Sequence, residues 1–287
     1  MTRDRGKSIR ERLLNIAKEE GQEYMKVLVR YLHERLLYRI SVSPYKSHFL
    51  LKGSSLLYAY DGFKARPTID IDLLGERISN DRERLKGVFG RICHIECEDD
   101  GVTFDADTLT LEPIAVEKKY PGSCVRVLAH LDTIVQQVSI DIGFGDVVTP
   151  CPLLLDYPLL LPDVPDVELY AYSLETLIAE KFHAMVDRDE SNSRMKDFFD
   201  VYELLRNHEI DKELLKESVV STFKNRGMRY REELALFTER FADDEKRNVM
   251  WRAFLRRIRW KKAIDFRVVM DCIKENLEVF WSRDVLG

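Results

Sequence analysis

Ile9, Leu13, Ile16 and Ala17 follow Ser8 at helical spacing, with Glu11 placed for a capping box, until Gly21 interrupts. The spacing predicts a first helix from Ser8. A second runs from about residue 23, with Leu28, Tyr31, Leu32 and Leu36 on one stripe and an end near residues 41–44. Residues 49–51 are a short apolar run suited to a buried strand, and Gly53-Ser54-Ser55 opens onto a helical segment through Tyr60. Between residues 69 and 73 the period falls to two: Ile69, Ile71 and Leu73 share one face, Asp70 and Asp72 the other. Leu85, Val88, Phe89 and Ile92 mark another helix, after which residues 108–111, 124–131 and 134–142 read as strands. In the last of these, Ile134, Gln136, Val138, Ile140 and Ile142 share a face and Asp141 lies on the more polar one. The middle of the chain therefore predicts a mixed sheet.

Five prolines fall within residues 150–165, a density that breaks regular structure and marks a junction. Residues 1–160 are expected to form an α/β (α+β) core with N-terminal helices, and 161–287 a helical C-terminal lobe. In that lobe helical patterns cover residues 173–186, 194–206, 211–223, 230–241, 244–258 and 266–280. With 287 residues, 45% hydrophobic and 33% charged, the chain supplies both a core and a solvated surface, which excludes disordered and fibrous classes. The five cysteines are odd in number and scattered, which argues against a disulfide framework. There is no apolar N-terminal segment and no run of membrane-spanning length, so a cytoplasmic protein without membrane contact is expected.

Paired aspartates on one strand face are ordinary at sheet edges; their surroundings change the picture here. The Gly53-Ser54 turn opens a helix, whose first backbone N–H groups and dipole favour phosphate. Asp141 supplies a third carboxylate from a later strand. Three such carboxylates near a phosphate-binding turn suit two-metal phosphoryl transfer, in which Mg2+ (or Mn2+) ions about 3.5–4 Å apart clamp the attacking and leaving oxygens. Lys181 falls on or beside the stripe Leu174, Leu177, Ile178, Phe182 and Met185, so it either snorkels to water or meets a phosphate. On the next helix Met195, Phe198, Phe199, Tyr202 and Leu205 form the core stripe, with Asp197 and Asp200 one turn apart. Lys196, four residues before Asp200, offers these aspartates an ordinary surface pairing. Cys93, His94 and Cys97 lack a second ligand pair and read as structural, not as a zinc site. His183 reads as a packing or surface residue.

The formal net charge is −5, but its distribution is uneven. Residues 224–262 hold thirteen Lys/Arg against six Asp/Glu, a balance of +7, and the rest of the chain stands at −12. Arg252, Arg256, Arg257, Arg259, Lys261 and Lys262 are interleaved with Trp251, Phe254 and Trp260. That mixture suits either a solvated helix face or a nucleic-acid groove making phosphate and stacking contacts.

The stretch KGSSLLYAYDGFKARPTIDIDL resembles the motif of the AbiE-type (AbiEii) abortive-infection nucleotidyltransferase toxins, members of the DNA polymerase β-like superfamily. In that motif a Lys-Gly-Gly or Lys-Gly-Ser turn precedes Arg-x-Ser/Thr-x-Asp-x-Asp, matched here by Lys52, Gly53, Ser54, Arg66, Thr68, Asp70 and Asp72. Further on, LIAEKFHAMVDRDESNSRMKDFFDVYEL resembles the second signature, with Glu180, Lys181, Arg194, Lys196, Asp197 and Asp200 at the matching positions. The resemblance spans about residues 8–208. It implies a polymerase β-like nucleotidyltransferase core that binds a nucleoside triphosphate through Lys52, Gly53, Ser54, Arg66, Thr68 and Lys181. It further implies metal on Asp70, Asp72 and Asp141, and transfer of a nucleoside monophosphate, with pyrophosphate leaving, in a cleft between the lobes. It tilts Lys181 towards a triphosphate contact and makes Asp197 the stronger candidate of the two aspartates. A toxin of a toxin–antitoxin or phage-defence system follows, with a cognate antitoxin. The preferred acceptor is structured RNA such as a tRNA 3′ end. A protein side chain as acceptor, or a catalytically idle binding fold, are the alternatives.

Overall fold

Ile9, Leu13 and Ala17 are buried, as their stripe requires, but in the computed structural model their helix, α1 (Thr2–Glu19), starts upstream of Ser8. Ser8 and Glu11 therefore lie inside α1 and not at its cap. The only breaker ahead of Ser8 is Gly6, and a helical glycine costs only about 1 kcal/mol. The structure describes residues 2–114 and 122–287. After α1 come α2 (Tyr24–Ser41), β1 (Phe49–Lys52), α3 (Gly53–Asp61), β2 (Asp70–Gly75), α4 (Arg82–Cys93), β3 (Val102–Ile114), β4 (Gly122–Leu131), β5 (Ile134–Phe144), β6 (Leu153–Tyr157) and β7 (Val167–Ala171).

Among the described residues these strands form one seven-stranded sheet in the order β3-β4-β5-β2-β1-β7-β6. The β2–β5 and β1–β7 pairs are parallel and the others antiparallel, so the sheet is mixed, as the alternation predicts. It is larger than the sequence pattern indicates. The proline-rich stretch, expected to break regular structure, instead contains β6 and is followed by β7. Pro152 and Pro158 flank β6, which lies at the sheet edge where proline is tolerated. In β7 the buried Val167, Leu169 and Ala171 alternate with the more exposed Glu168 and Tyr170. Ile71 and Leu73 are buried as expected, but Ile69 is 77% exposed because β2 begins only at Asp70.

The chain divides into two compact units. The first comprises Met1–Gly145 and Leu153–Ala171, and the second Asp146–Pro152 and Tyr172–Gly287. In the first, Val138, Ile140 and Ile142 of β5 join Leu28, Leu32 and Leu36 of α2 in the core, and Phe49 meets Phe89 of α4 at 5.3 Å.

α2 also buries charge. Arg39 donates to both oxygens of Asp100, at 2.6 and 3.3 Å, and to Val102 O at 2.7 Å. Glu34 Oε1 lies 2.8 Å from Arg35 Nη2, and its Oε2 accepts from Leu160 N at 2.7 Å. Burial pushes the Glu34 carboxyl up to about 7, and Arg35 and the Leu160 N–H offset this only in part. The folded chain thus binds a proton that the unfolded chain, with an ordinary value of 4.5, has released. Stability through this group falls as pH rises from 4.5 to about 7 and is level above. The slope is at most about 1.4 kcal/mol per pH unit. Glu34→Gln is expected to remove that decline, so the variant gains on the wild type between about pH 5 and about pH 8 in urea melts. An equal difference at both pH values would mean that Glu34 titrates as an ordinary carboxylate.

The second unit holds α5 (Leu174–Arg188), α6 (Met195–Asn207), α7 (Lys212–Asn225), α8 (Glu239–Asp243), α9 (Glu245–Arg257), α10 (Phe266–Leu277) and α11 (Arg283–Leu286). Ser173, Asp211 and Asp244 accept from the first-turn N–H groups of α5, α7 and α9, which sets where those helices start. The single helix expected over 230–241 does not form. Instead Arg231 donates to Val186 O and Asp189 Oδ2, and Leu236 N donates to Asp189 Oδ1, each within 3.1 Å. Thr238 then caps the short α8. Among the described residues no helix is long and apolar enough to cross a membrane.

Candidate active site

Directly opposed residues on neighbouring strands point to the same face of a sheet. Lys52 of β1 is opposite Asp72 of β2, Asp72 is opposite Asp141 of β5, and Asp141 is opposite Cys124 of β4. One row across four strands thus reads Lys, Asp, Asp, Cys, and Asp70 lies two residues from Asp72 on the same face. The local alternation that faces β2 and β5 inward with isoleucine, leucine and valine turns these carboxylates to the other side. Cys124 is buried, and its thiol is pushed up to about 12 by that burial, by its hydrogen bond to Asp141 and by the charges of Asp141 and Asp70. It stays protonated at neutral pH and is no nucleophile.

The Gly53-Ser54 turn abuts this row. Gly53 has φ +61°, and a Cβ there would overlap the Asp72 carboxylate, so glycine is required for both reasons. Ser54 N, at the start of α3, donates to Asp72 Oδ2 at 3.1 Å, and Ser54 Oγ accepts from Arg66 Nη2 at 2.5 Å. Thr68 and Ser55 hydroxyls both donate to Asp70 O, at 3.1 and 3.2 Å, fixing the start of β2. Asp72 therefore occupies a helix N-terminus that would equally accept a phosphate oxygen. The donor set, carboxylate oxygens on adjoining strands, fits a hard divalent ion by its chemistry. Among the described residues, however, no three His, Cys, Asp or Glu side chains stand together so as to enclose an ion.

In the second unit Lys181 does not snorkel. It is 8% exposed, and its Nζ donates to Asp200 Oδ2 at 2.7 Å and to Asp197 Oδ1 at 3.3 Å. Asp200 is 1% exposed, so the expectation of ordinary surface pairing fails: both aspartates face inward as counter-charges to a lysine in an apolar stripe. Arg194 Nε donates to Asp197 Oδ2 at 2.5 Å. Burial raises the Asp197 carboxyl, but Lys181 and Arg194 outweigh it and hold the group below the usual carboxylate range. Asp200 makes the shorter contact, although sequence reasoning favours Asp197. The available signal is that a core-facing lysine needs a partner on the next helix. Sequence reasoning also misses Arg226, which pairs with Asp146 and, at 3.3 Å, with Glu180. Tyr172 OH donates to the same Asp146 at 2.9 Å. His183 packs edge-on against Phe223 at 5.2 Å.

Arg252, Arg256 and Arg257 on α9, and Arg259, Lys261 and Lys262 after it, are all exposed. The aromatic residues among them are not free for stacking. Trp251 and Phe254 are buried, Trp251 Nε1 donates to Ile264 O at 2.7 Å, and Trp260 meets Phe199 edge-on at 4.8 Å. Helical period explains this: Trp251, Phe254 and Leu255 share the inward stripe, and the arginines fall between.

No curated protein matches the sequence. A crystal structure from H. pylori assigned as a nucleotidyltransferase is similar over 84% of this chain and 100% of its own, at 15% identity and a TM-score of 0.44. JHP933 from Helicobacter pylori is similar over 88% of this chain and 98% of its own, at 13% identity and a TM-score of 0.39. The assignment rests on neither. The family model described as nucleotidyl transferase AbiEii toxin, type IV TA system, matches residues 35–270, a span that takes in both the Lys52–Asp72 turn-and-strand and the Lys181–Asp200 helix pair. The chain belongs to the AbiEii family of nucleotidyltransferase toxins.

Proposed function

We propose that this nucleotidyltransferase moves a nucleoside monophosphate from a triphosphate to RNA, with a tRNA 3′ end as the preferred acceptor, and that it depends on Mg2+ or Mn2+. The observation that supports this best is the register of Asp72 against Asp141, with Asp70 on the same face, beside the Gly53-Ser54 turn. These three carboxylates would hold the divalent ion, whose chemistry is to neutralise charge on the phosphates and on the leaving pyrophosphate. The chain's own groups do the rest. The α3 N-terminus and Arg66, already hydrogen-bonded to Ser54, present N–H donors to phosphate oxygens. Lys52, opposite Asp72, contributes a cation to the same row, and Thr68 fixes the backbone at Asp70. In the second unit Lys181 is the candidate phosphate contact, oriented by Asp197 and Asp200. Family membership implies a triphosphate substrate and an antitoxin partner; a cytoplasmic setting fits that pairing.

Incubation with Mg2+, each labelled triphosphate in turn, and total cellular RNA or protein tests the reading. Label on RNA, lost when the metal is chelated, is the expected result; label on protein alone would move the acceptor to a side chain.

RNA as acceptor is favoured by the exposed basic residues of α9 and the loop after it. They carry phosphate contacts without stacking, so their contribution should depend strongly on salt. Neutralising Arg256, Arg257 and Lys261 together is expected to weaken RNA binding and, on single-stranded RNA, to lower the salt slope by roughly 0.7 for each phosphate no longer neutralised. Nucleotide affinity, measured alongside, is expected to stay unchanged. Parallel slopes and equal affinities across a salt series would remove this segment from RNA binding.

A further inference from the structure

After α3 the chain makes a short turn, Gly62–Lys64, and reaches β2 through a connection that carries Arg66 and Thr68 of the first signature. A residue outside both signatures holds this connection. Arg30 of α2 donates through Nη1 to Gly62 O at 3.2 Å and through Nη2 to Ala65 O at 3.3 Å. Its guanidinium carbon lies 3.9 Å from the ring centroid of Tyr58 on α3 and 4.9 Å from that of Phe63 in the turn. Ala65 N itself donates to Gly62 O at 3.2 Å, so Arg30 grips both ends of one closed turn.

Burial pushes the Arg30 guanidinium below its ordinary value, and the groups that oppose this are tyrosines; no carboxylate is among them. A cation withdrawn from water without a counter-charge is costly. Everything that offsets the cost lies on α3 and the connection after it: two carbonyls and two ring faces. Those carbonyls bear directly on Arg66. A peptide unit is planar, so holding Ala65 O also fixes Arg66 N. Pro67 confines the Arg66 backbone to extended conformations. The direction in which Arg66 leaves the chain is thus set by Arg30 before it and Pro67 after it, and Arg66 Nη2 reaches Ser54 Oγ at 2.5 Å. We propose that Arg30 is a positioning residue for nucleotidyl transfer, its fork over Gly62 O and Ala65 O aiming Arg66 at the triphosphate beside the Gly53-Ser54 turn. The inference rests on the reading of that turn and Arg66 as the phosphate site. Arg30 acts through Arg66 and not on the substrate itself.

Calorimetric titration with Mg2+ and each nucleoside triphosphate in turn, with no acceptor RNA, is compared for wild type, Arg30→Gln, Arg66→Ala and the double variant, with urea melts alongside. Arg66→Ala is expected to weaken triphosphate binding at least about tenfold, the loss of one charge-assisted hydrogen bond, and Arg30→Gln to weaken it severalfold. In the Arg66→Ala background Arg30→Gln should change affinity no further, because nothing is left for it to aim, although its cost to stability persists. A merely structural Arg30 would lower affinity by the same factor in both backgrounds, or in neither, and either result overturns the proposal. Wild-type affinity in the single variant Arg66→Ala overturns the phosphate-site reading and the proposal with it, which tells that failure apart from the first. Arg30→Lys keeps the charge but not the planar fork over two carbonyls, so it is expected to follow Arg30→Gln; wild-type affinity in Arg30→Lys overturns the proposal. Should Arg30→Gln fail to fold, Arg30→Lys carries the same cycle.

Discussion

Asp72→Asn is expected to cut nucleotidyl transfer by at least about 100- to 1,000-fold, the cost of removing one preorganised electrostatic contact, and to leave the fold intact. The two halves of that expectation have separate causes. Asparagine has the shape of aspartate and retains an oxygen that can accept from Ser54 N, so the α3 N-terminus keeps its contact. Asp72 and Asp141 are in register on the parallel strands β2 and β5, and like charges placed side by side on one face repel. Stability should therefore hold or rise slightly. What is lost, on the proposed reading, is a charged oxygen that would balance a divalent ion and a triphosphate. Labelled monophosphate incorporation beside a urea melt reads both. Wild-type incorporation by the folded variant would take Asp72 out of the active site.

Lys181→Ala should be the most destabilising of these changes, by about 3–5 kcal/mol, because it removes the ammonium that balances two buried carboxylates. Arg194 still reaches Asp197, whereas Asp200 Oδ2 is deprived of its 2.7 Å ammonium donor. The pH dependence gives a signature that simple cavity formation would not. In the wild type Asp197 is held below the usual range, so its contribution is present above the unfolded value and is lost as pH falls through the folded one. Without Lys181 less opposes the burial of this carboxyl and the group is held down less, so the variant loses less as pH falls and should recover part of its deficit. Adding Asp200→Asn should restore stability and leave triphosphate affinity low. Unchanged triphosphate affinity in that double variant would make Lys181 a structural counter-charge alone.

Much of this was legible wherever a local period carried it. The alternation in residues 134–142 and the stripes of α4 and α5 name the inward faces correctly, whereas in α6 Leu204 is buried and the expected Leu205 is not; Ser173, Asp211 and Asp244 announce their helices as caps do. Failures occurred where distant groups decide. β6 and β7 exist because β1 offers a parallel edge to residues 120 positions away, which no window of sequence contains. The pattern over 230–241 is apolar enough for a helix, yet Asp189 claims its N–H and guanidinium groups first. The same holds within the site. Asp70 and Asp72 stand out as carboxylates on a strand, and Lys181 as a charge on an apolar stripe. The opposition of Asp72 to Asp141 and the burial of Asp200 depend on register and helix packing, and neither is written locally.

The first unit is not continuous in sequence, and this bears on how the protein is made. β7 supplies the neighbour that β1 requires, with Leu50 against Tyr170 and Leu51 against Ala171, and it leaves the ribosome after a stretch, Asp146–Pro152, that belongs to the other unit. A nascent chain that has reached only Gly145 carries Gly53, Asp72 and Asp141 but exposes β1 as an open edge, a template for mispairing. The carboxylate row can thus be translated in full before the sheet that holds it is complete. Synthesis up to Ala171 is the earliest point at which this toxin's carboxylate row gains its complete support, and shorter fragments are expected to be inert and prone to aggregate.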